Sequence, residues 1–210
     1  MAKGVLGRKL GMTQVYDQNG LVVPVTVVDV EPNVVVQVKT AARDGYEAIQ
    51  VGTEEIKAHK VNRPLAGHFK QAGVTPRAVL REMRFAGASE LHIGDQIGVE
   101  LFREGELVDV IGVSKGKGFA GGVRRHHFNR GPMAHGSKYH RGPGSMSARM
   151  SGGGGHVRKG RRLPGHLGAD RVTVRNLALV RVDREHNLLL IKGAVPGPRG
   201  ALVTVRKHEA

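Results

Sequence analysis

Valine-rich runs cut by turn signals fill the first part of this chain. Residues 21–30 and 33–40 are two such runs, split by Glu31-Pro32-Asn33, where proline and asparagine favour a turn. Asp17-Gln18-Asn19-Gly20 ends in Asn-Gly, a pair that tolerates the positive φ a tight hairpin turn requires. Flanked by 12–16 and 21–28, it predicts a hairpin. Asp44-Gly45 marks another turn before a strand-like segment over 46–52, so the opening block reads as a meander. From His59 to Phe85 valine thins out, and Pro64, Gly67, Gly73 and Pro76 interrupt the pattern. Thr75 as a cap, followed by Pro76 in a first turn, predicts a short helix over 76–84. Strands resume over 96–102 and 107–113, joined at Glu104-Gly105. Much later, Val172, Val174, Ala178, Val180 and Val182 hold even positions, against Arg171, Thr173, Arg175 and Arg181 at odd ones. That period of two predicts a half-exposed strand, bulged near Asn176 and Leu177. Strands over 188–192 and 202–206 close the chain, with 193–200, containing Pro196 and Pro198, as the turn between them.

No such period runs through the middle. Residues 110–169 contain no Asp or Glu; Asp109 is the last acid before them and Asp170 the first after. They hold 12 of the 33 Lys and Arg, 6 of the 11 His and 16 of the 31 Gly, so +12 of the formal net charge of +15 falls there. So much unpaired charge and glycine resists burial and calls for a dense polyanion, most commonly a nucleic-acid backbone. Neither flank alone has an ample core, so the strands on both sides are expected to share one sheet or barrel, with the basic run as a long insertion. A loop of that length in a compact domain is expected only when functional or ordered by a partner.

Three Tyr, five Phe and no Trp argue against a platform that stacks successive bases. Recognition should rest on phosphate, sugar and shape. The absence of cysteine excludes disulfides and thiolate metal sites and permits the cytosol. Nothing approaches the ~18 apolar residues of a membrane span; the most apolar run, 21–30, is broken by Pro24, Thr26 and Asp29. The first ten residues lack an apolar core of signal-peptide length. The expectation is a soluble, cytoplasmic protein. A membrane-surface protein would want an amphipathic helix, which the glycine-rich run does not offer.

The basic residues come in clusters: Lys115 and Lys117 between glycines; Arg124, Arg125, His126 and His127, then Arg130; His135, Lys138, His140 and Arg141; Arg149; and Arg158, Lys159, Arg161 and Arg162 around Gly160. Clusters near both ends fit a two-limbed arm whose arginines make bidentate phosphate contacts and whose glycines let backbone N–H groups approach phosphates. A solvated linker would not need Phe119, Phe128, Met133, Tyr139, Met146 and Met150. Gly116-Lys-Gly-Phe-Ala-Gly121 matches a dinucleotide fingerprint, but an amphipathic helix and an acid about 20 residues on are both missing. The run's histidines have neither cysteine nor carboxylate among them and no zinc-type spacing, so no metal is expected. With no acids in the run, catalytic triads and carboxylate pairs cannot be built there, and neither a cofactor nor a small-molecule substrate is expected.

Five strings resemble one family in order along the chain: Gly4-Val-Leu-Gly-Arg-Lys-Leu-Gly-Met-Thr-Gln14; Val61-Asn-Arg-Pro64 with Gly67-His68; Val108-Asp-Val-Ile-Gly-Val-Ser-Lys-Gly-Lys-Gly-Phe119; Arg130-Gly-Pro-Met-Ala-His-Gly-Ser-Lys-Tyr-His-Arg141 with Pro143-Gly-Ser145; and Leu188-Leu-Leu-Ile-Lys-Gly-Ala-Val-Pro-Gly197. Together they resemble the bacterial large-subunit ribosomal protein L3 family. The resemblance implies a mainly β fold: a β-barrel body of the SH3-like, translation-protein type, over 1–112 plus 169–210, with a small helical or irregular excursion at 59–85. A long basic looped arm, 113–168, would be inserted between strands and penetrate rRNA. It implies a non-enzymatic constituent of the ribosome that binds large-subunit rRNA and other large-subunit proteins, acts early in assembly, reaches toward the peptidyl-transferase centre and forms no homo-oligomer. Carried over, the basic residues of the run would line the two limbs and contact rRNA, and Ser145, Met146, Ser147, Ala148, Arg149, Met150 and Ser151 would form the tip. Family members that carry a side-chain-methylated glutamine near the tip differ from this chain, which has no Gln in 110–169, so no such methylation is expected. Gly152–Gly155 also replaces a proline-containing stretch. Two other readings remain open at this point: a nucleotide-dependent enzyme using Gly116–Gly121, and a general nucleic-acid chaperone.

Overall fold

The computed structural model describes residues 4–85, 87, 90–145, 157 and 159–208. Its strands are β1 (Gly4–Tyr16), β2 (Val22–Asp29), β3 (Asn33–Lys39), β4 (Ala48–Glu55), β5 (Arg77–Met83), β6 (Gln96–Ile97), β7 (Leu107–Val113), β8 (Phe119–Ala120), β9 (Gly165–His166), β10 (Arg171–Asp183), β11 (Leu188–Lys192) and β12 (Leu202–Lys207). The helices are α1 (Ala41–Asp44), α2 (Arg63–Ala72) and α3 (Gly122–His126). None of the described helices is long and apolar enough to cross a membrane. The chain divides into two compact units, Met1–Val113 with Arg171–Ala210, and Ser114–Asp170.

In the first unit β1-β12-β7-β10-β11-β2 close into a six-stranded antiparallel barrel. The fold is mainly β, and strands from both sides of the basic run build one barrel, as the patterning requires. Alternation decides what goes inside: Val108 and Val110 from β7, Leu189 and Ile191 from β11, and Val203 and Val205 from β12 are buried in one core with Leu6, Val28 and Leu179. β1 and β2 approach so closely that a Cβ on Gly7 would lie 2.6 Å from the Asp29 carbonyl oxygen, so only glycine fits. The second sheet, β5-β4-β3-β6, adds Val35, Ile49, Val51 and Ile97 to the same core. Asn33 joins the sheets. Its side chain accepts from Leu6 N–H at 2.7 Å and donates to the Leu6 carbonyl at 3.0 Å and to Glu31 O at 2.7 Å. A side-chain amide thus takes the place of a neighbouring strand at a fully buried point of β1.

Strand β10 carries the expected bulge. Its register with β7 shifts between Val174 and Leu177, with Asn176 at φ 57. The Asn176 N–H donates to buried Asp109 at 3.1 Å. Burial alone would raise the Asp109 pKa; the N–H of Asn176, His208 (3.0 Å) and Arg206 (3.7 Å) outweigh it and hold the carboxylate below its ordinary value.

Three expectations are corrected. Residues 76–84 hold no helix: β5 pairs along β4 from Glu55↔Arg77 to Ile49↔Met83, so tertiary pairing overrides the local start signal. The helix of the 59–85 excursion lies earlier, at α2, where Asn62 caps Leu65 N–H at 3.0 Å, a proline sits in the first turn and Gly73 ends it at φ 66. Of the expected strand at 96–102 only β6 forms, and a tight turn over Val99–Leu101 follows it. The opening block is no single meander, because β2 pairs with β11 while β3 and β4 enter the other sheet.

Candidate nucleic-acid interface

The second unit is built on two antiparallel limbs. Asp170 O accepts from Ser114 N–H (2.9 Å), Leu167 O from Lys117 N–H (2.9 Å) and Gly118 O from Leu167 N–H (3.0 Å), and β8 then pairs with β9. Glycine permits this closeness: Gly168, at φ 75, packs directly on the Lys115 carbonyl. Beyond β8 the short helix α3 ends at His127, φ 58. Arg125 Nη1 and His126 Nε2 both donate to Leu163 O, at 2.9 and 3.0 Å, which latches α3 to the returning limb. Phe128 covers Gly122, where a Cβ would lie 2.8 Å from its ring. Farther out, His140 Nδ1 donates to Pro132 O (3.0 Å), Gly131 N–H to His140 O (3.0 Å) and Arg161 Nη2 to Ser145 O (2.9 Å), while the Gly144 N–H meets the Tyr139 hydroxyl.

Lys115, Lys117, Arg124, His127, Arg130, His135, Lys138, Arg141, Lys159, Arg161 and Arg162 are exposed on this unit, and Arg125, His126 and His140 are half-buried against its backbone. Ser145 is exposed. Arg149 and Arg158, with the rest of the expected tip (Met146, Ser147, Ala148, Met150, Ser151), lie outside the described residues. Arg125, His126, His140 and Arg161 therefore spend donors on holding the unit together, a role that sequence clustering does not reveal.

The electrostatics of the two units differ. In the first, cations meet carboxylates: Lys39–Glu82 at 2.6 Å, Lys207–Glu106 at 2.9 Å, and Arg8 with Glu54. Hydrogen bonding to Arg8 holds the Glu54 carboxyl below its ordinary range. A cleft of about 360 Å³ there is lined by Arg8, Asp29, Glu31, Glu54 and Glu55, the wrong charge for a polyanion. In the second unit no carboxylate side chain occurs before Asp170, so its exposed cations are left to water or to an outside anion. Gly116–Gly121 does not build a dinucleotide turn, because its own Phe119 and Ala120 form β8 and the helix that follows, α3, has only five residues. Among the described residues no three His, Asp or Glu side chains gather in a way that could hold a metal.

Over 207 residues the chain is 56% identical to the large ribosomal subunit protein uL3 of Carboxydothermus hydrogenoformans, an alignment covering 99% of this chain and 98% of that one. The chain belongs to the ribosomal protein L3 family. The ribosomal protein L3 family model matches residues 81–187, which include the whole basic unit. The uL3 of Desulforudis audaxviator is 56% identical over 98% of this chain and 95% of its own length, and that of Geobacillus sp. strain WCH70 is 53% identical over 98% and 96%. L3 is a structural ribosomal protein and not an enzyme, which removes the nucleotide-dependent reading of Gly116–Gly121. His166 stands outside the basic clusters of the run. Its signal is positional: β9 brings it opposite Phe119, and no local pattern announces that pairing.

Proposed function

We propose that this chain is a structural constituent of the large ribosomal subunit that binds large-subunit rRNA directly through an arm spanning 113–168, on a body formed by 1–112 and 169–210. The arm extends toward the peptidyl-transferase centre, and the protein acts early in subunit assembly, in a single copy, beside other large-subunit proteins in the cytoplasm. The observation that carries this reading is the unit without a side-chain carboxylate before Asp170, on which Lys115, Lys117, Arg124, Arg130, Lys138 and Arg141 stand exposed. Such a surface has no internal counter-charge, and phosphate supplies one at high density. Glycine-rich limbs add backbone donors and a thin profile suited to crevices of folded RNA.

The test is the salt dependence of binding to large-subunit rRNA. Each phosphate contact contributes about 0.7–0.9 to the slope of log K against log salt. Replacing Lys115, Lys117 and Arg124 together by Gln removes three cations and should lower the slope by about 2–3. An unchanged slope would remove these residues from the interface.

A further inference from the structure

We propose that Phe119 and His166 form a stacking platform for one unpaired base of the bound RNA, a reading that rests on the rRNA-binding function above. Phe119 is 81% exposed, and His166 is exposed too. They are direct cross-strand partners in the β8–β9 pair, so both side chains leave the same face of the ladder, with Cβ atoms about 4.5–5.5 Å apart. Among the described residues neither ring makes a hydrogen bond or a ring–ring contact. The ring–ring contacts among the described residues are His68–Phe69 and His126–Phe128, cations lie over Tyr46 alone, and Phe128 also covers Gly122. Phe128 thus has a packing role in this unit, whereas Phe119 makes no ring contact among the described residues.

The backbone around the pair is bare. A Cβ on Gly118 or Gly121 would meet nothing within 4 Å. Gly118, at φ 65, is explained by its conformation. Gly121, the N-cap of α3, has φ −70 and ψ 166, which other residues also adopt, and no atom of the described residues crowds it. Glycine there keeps the approach to Phe119 clear for something outside the chain. That partner must tolerate a wholly cationic setting, with Lys115 and Lys117 exposed on the same limb. A nucleobase fits, since unstacked RNA bases rest on Phe and His rings while nearby cations hold the phosphates. The scarcity of aromatics limits the platform to a single base.

The full chain is tested on large-subunit rRNA against an unrelated structured RNA. Phe119→Ala should weaken rRNA binding about 5- to 150-fold, the worth of one stacked base, with the salt slope unchanged because no phosphate contact is lost. Phe119→Trp should restore affinity, and Gly121→Val should weaken it while the melting temperature of the barrel stays unchanged. Base-specific chemical probing should find one nucleotide whose base is protected by the wild type and exposed with Phe119→Ala, while the backbone footprint stays. If the wild type binds selectively and Phe119→Ala binds within twofold of it, the platform is wrong and the rRNA-binding reading stands. If Trp fails to restore affinity, the ring face is not the determinant and the platform is likewise wrong. If the wild type itself does not distinguish the two RNAs, both readings fall.

Discussion

Replacing Asn33 by Leu should loosen the body at the point where its two sheets meet. Asn33 is fully buried, and its side chain makes three hydrogen bonds to the backbone of Leu6 and Glu31. Leucine has almost the same shape, so little cavity arises and the cost is polar. Each lost bond is worth about 0.5–1.5 kcal/mol net, and leaving the Leu6 N–H buried without a partner adds about 1–3 kcal/mol. Apolar burial by the new side chain offsets part of this, which leaves about 3 kcal/mol. For a chain of this size that corresponds to a fall in Tm of about 6–12 °C. Scanning calorimetry on the full chain reads the shift, and hydrogen exchange at the Leu6 amide should accelerate in the variant. A fall under about 2 °C, or unchanged exchange at Leu6, would refute the argument that a side-chain amide stands in for a strand here.

Asp109 has a folded pKa below its ordinary value of about 3.9, so its ionised form adds stability above that value, and the contribution is lost as pH falls through the lowered folded pKa. Asp109→Asn should flatten the dependence of the urea midpoint on pH between about pH 5 and pH 2; a profile as steep as that of the wild type would count against it. At Asn176, φ 57 penalises a β-branched side chain. Asn176→Val should cost about 1–3 kcal/mol in urea unfolding and Asn176→Gly under about 1, while both keep the N–H that Asp109 accepts. Equal losses would show that the bulge conformation is not the determinant.

Much of the body was legible because its signals are local. Asp17–Gly20 does turn β1 into β2: Gly20 takes φ 77, and Asp17 Oδ1 accepts from Asn19 N–H at 2.9 Å and Leu21 N–H at 2.8 Å. Strands β7 and β11 fall where their apolar runs put them, and the unpaired Asn176 marks the bulge. What stayed hidden depends on distant partners. Pro76 and Pro64 offer similar helix-start chemistry, but 77–83 faces a strand to pair with, while 63–72 has the Asn62 cap. Whether a valine-rich strand joins the barrel or the other sheet is set by partners such as Leu188–Lys192, far along the chain, and no local feature of 22–39 encodes it. In the basic unit composition exposes the charge. Yet it cannot separate Arg125 and His126, which latch the limbs through Leu163 O, from neighbours such as Arg124 that stay exposed.

Val113 and Arg171 are direct partners in the β7–β10 ladder, so an Asn-Gly turn can replace residues 114–170 and close those strands as an ordinary hairpin. Binding of the full chain and of this shortened chain to large-subunit rRNA, across a salt series, asks whether residues 114–170 hold the RNA site. The full chain should bind tightly and selectively with a steep salt slope, and the shortened chain should give a weak, shallow response although its barrel still unfolds cooperatively. Equal affinity and slope for the two would place the RNA site on the body and rule out the basic unit as the RNA-binding element.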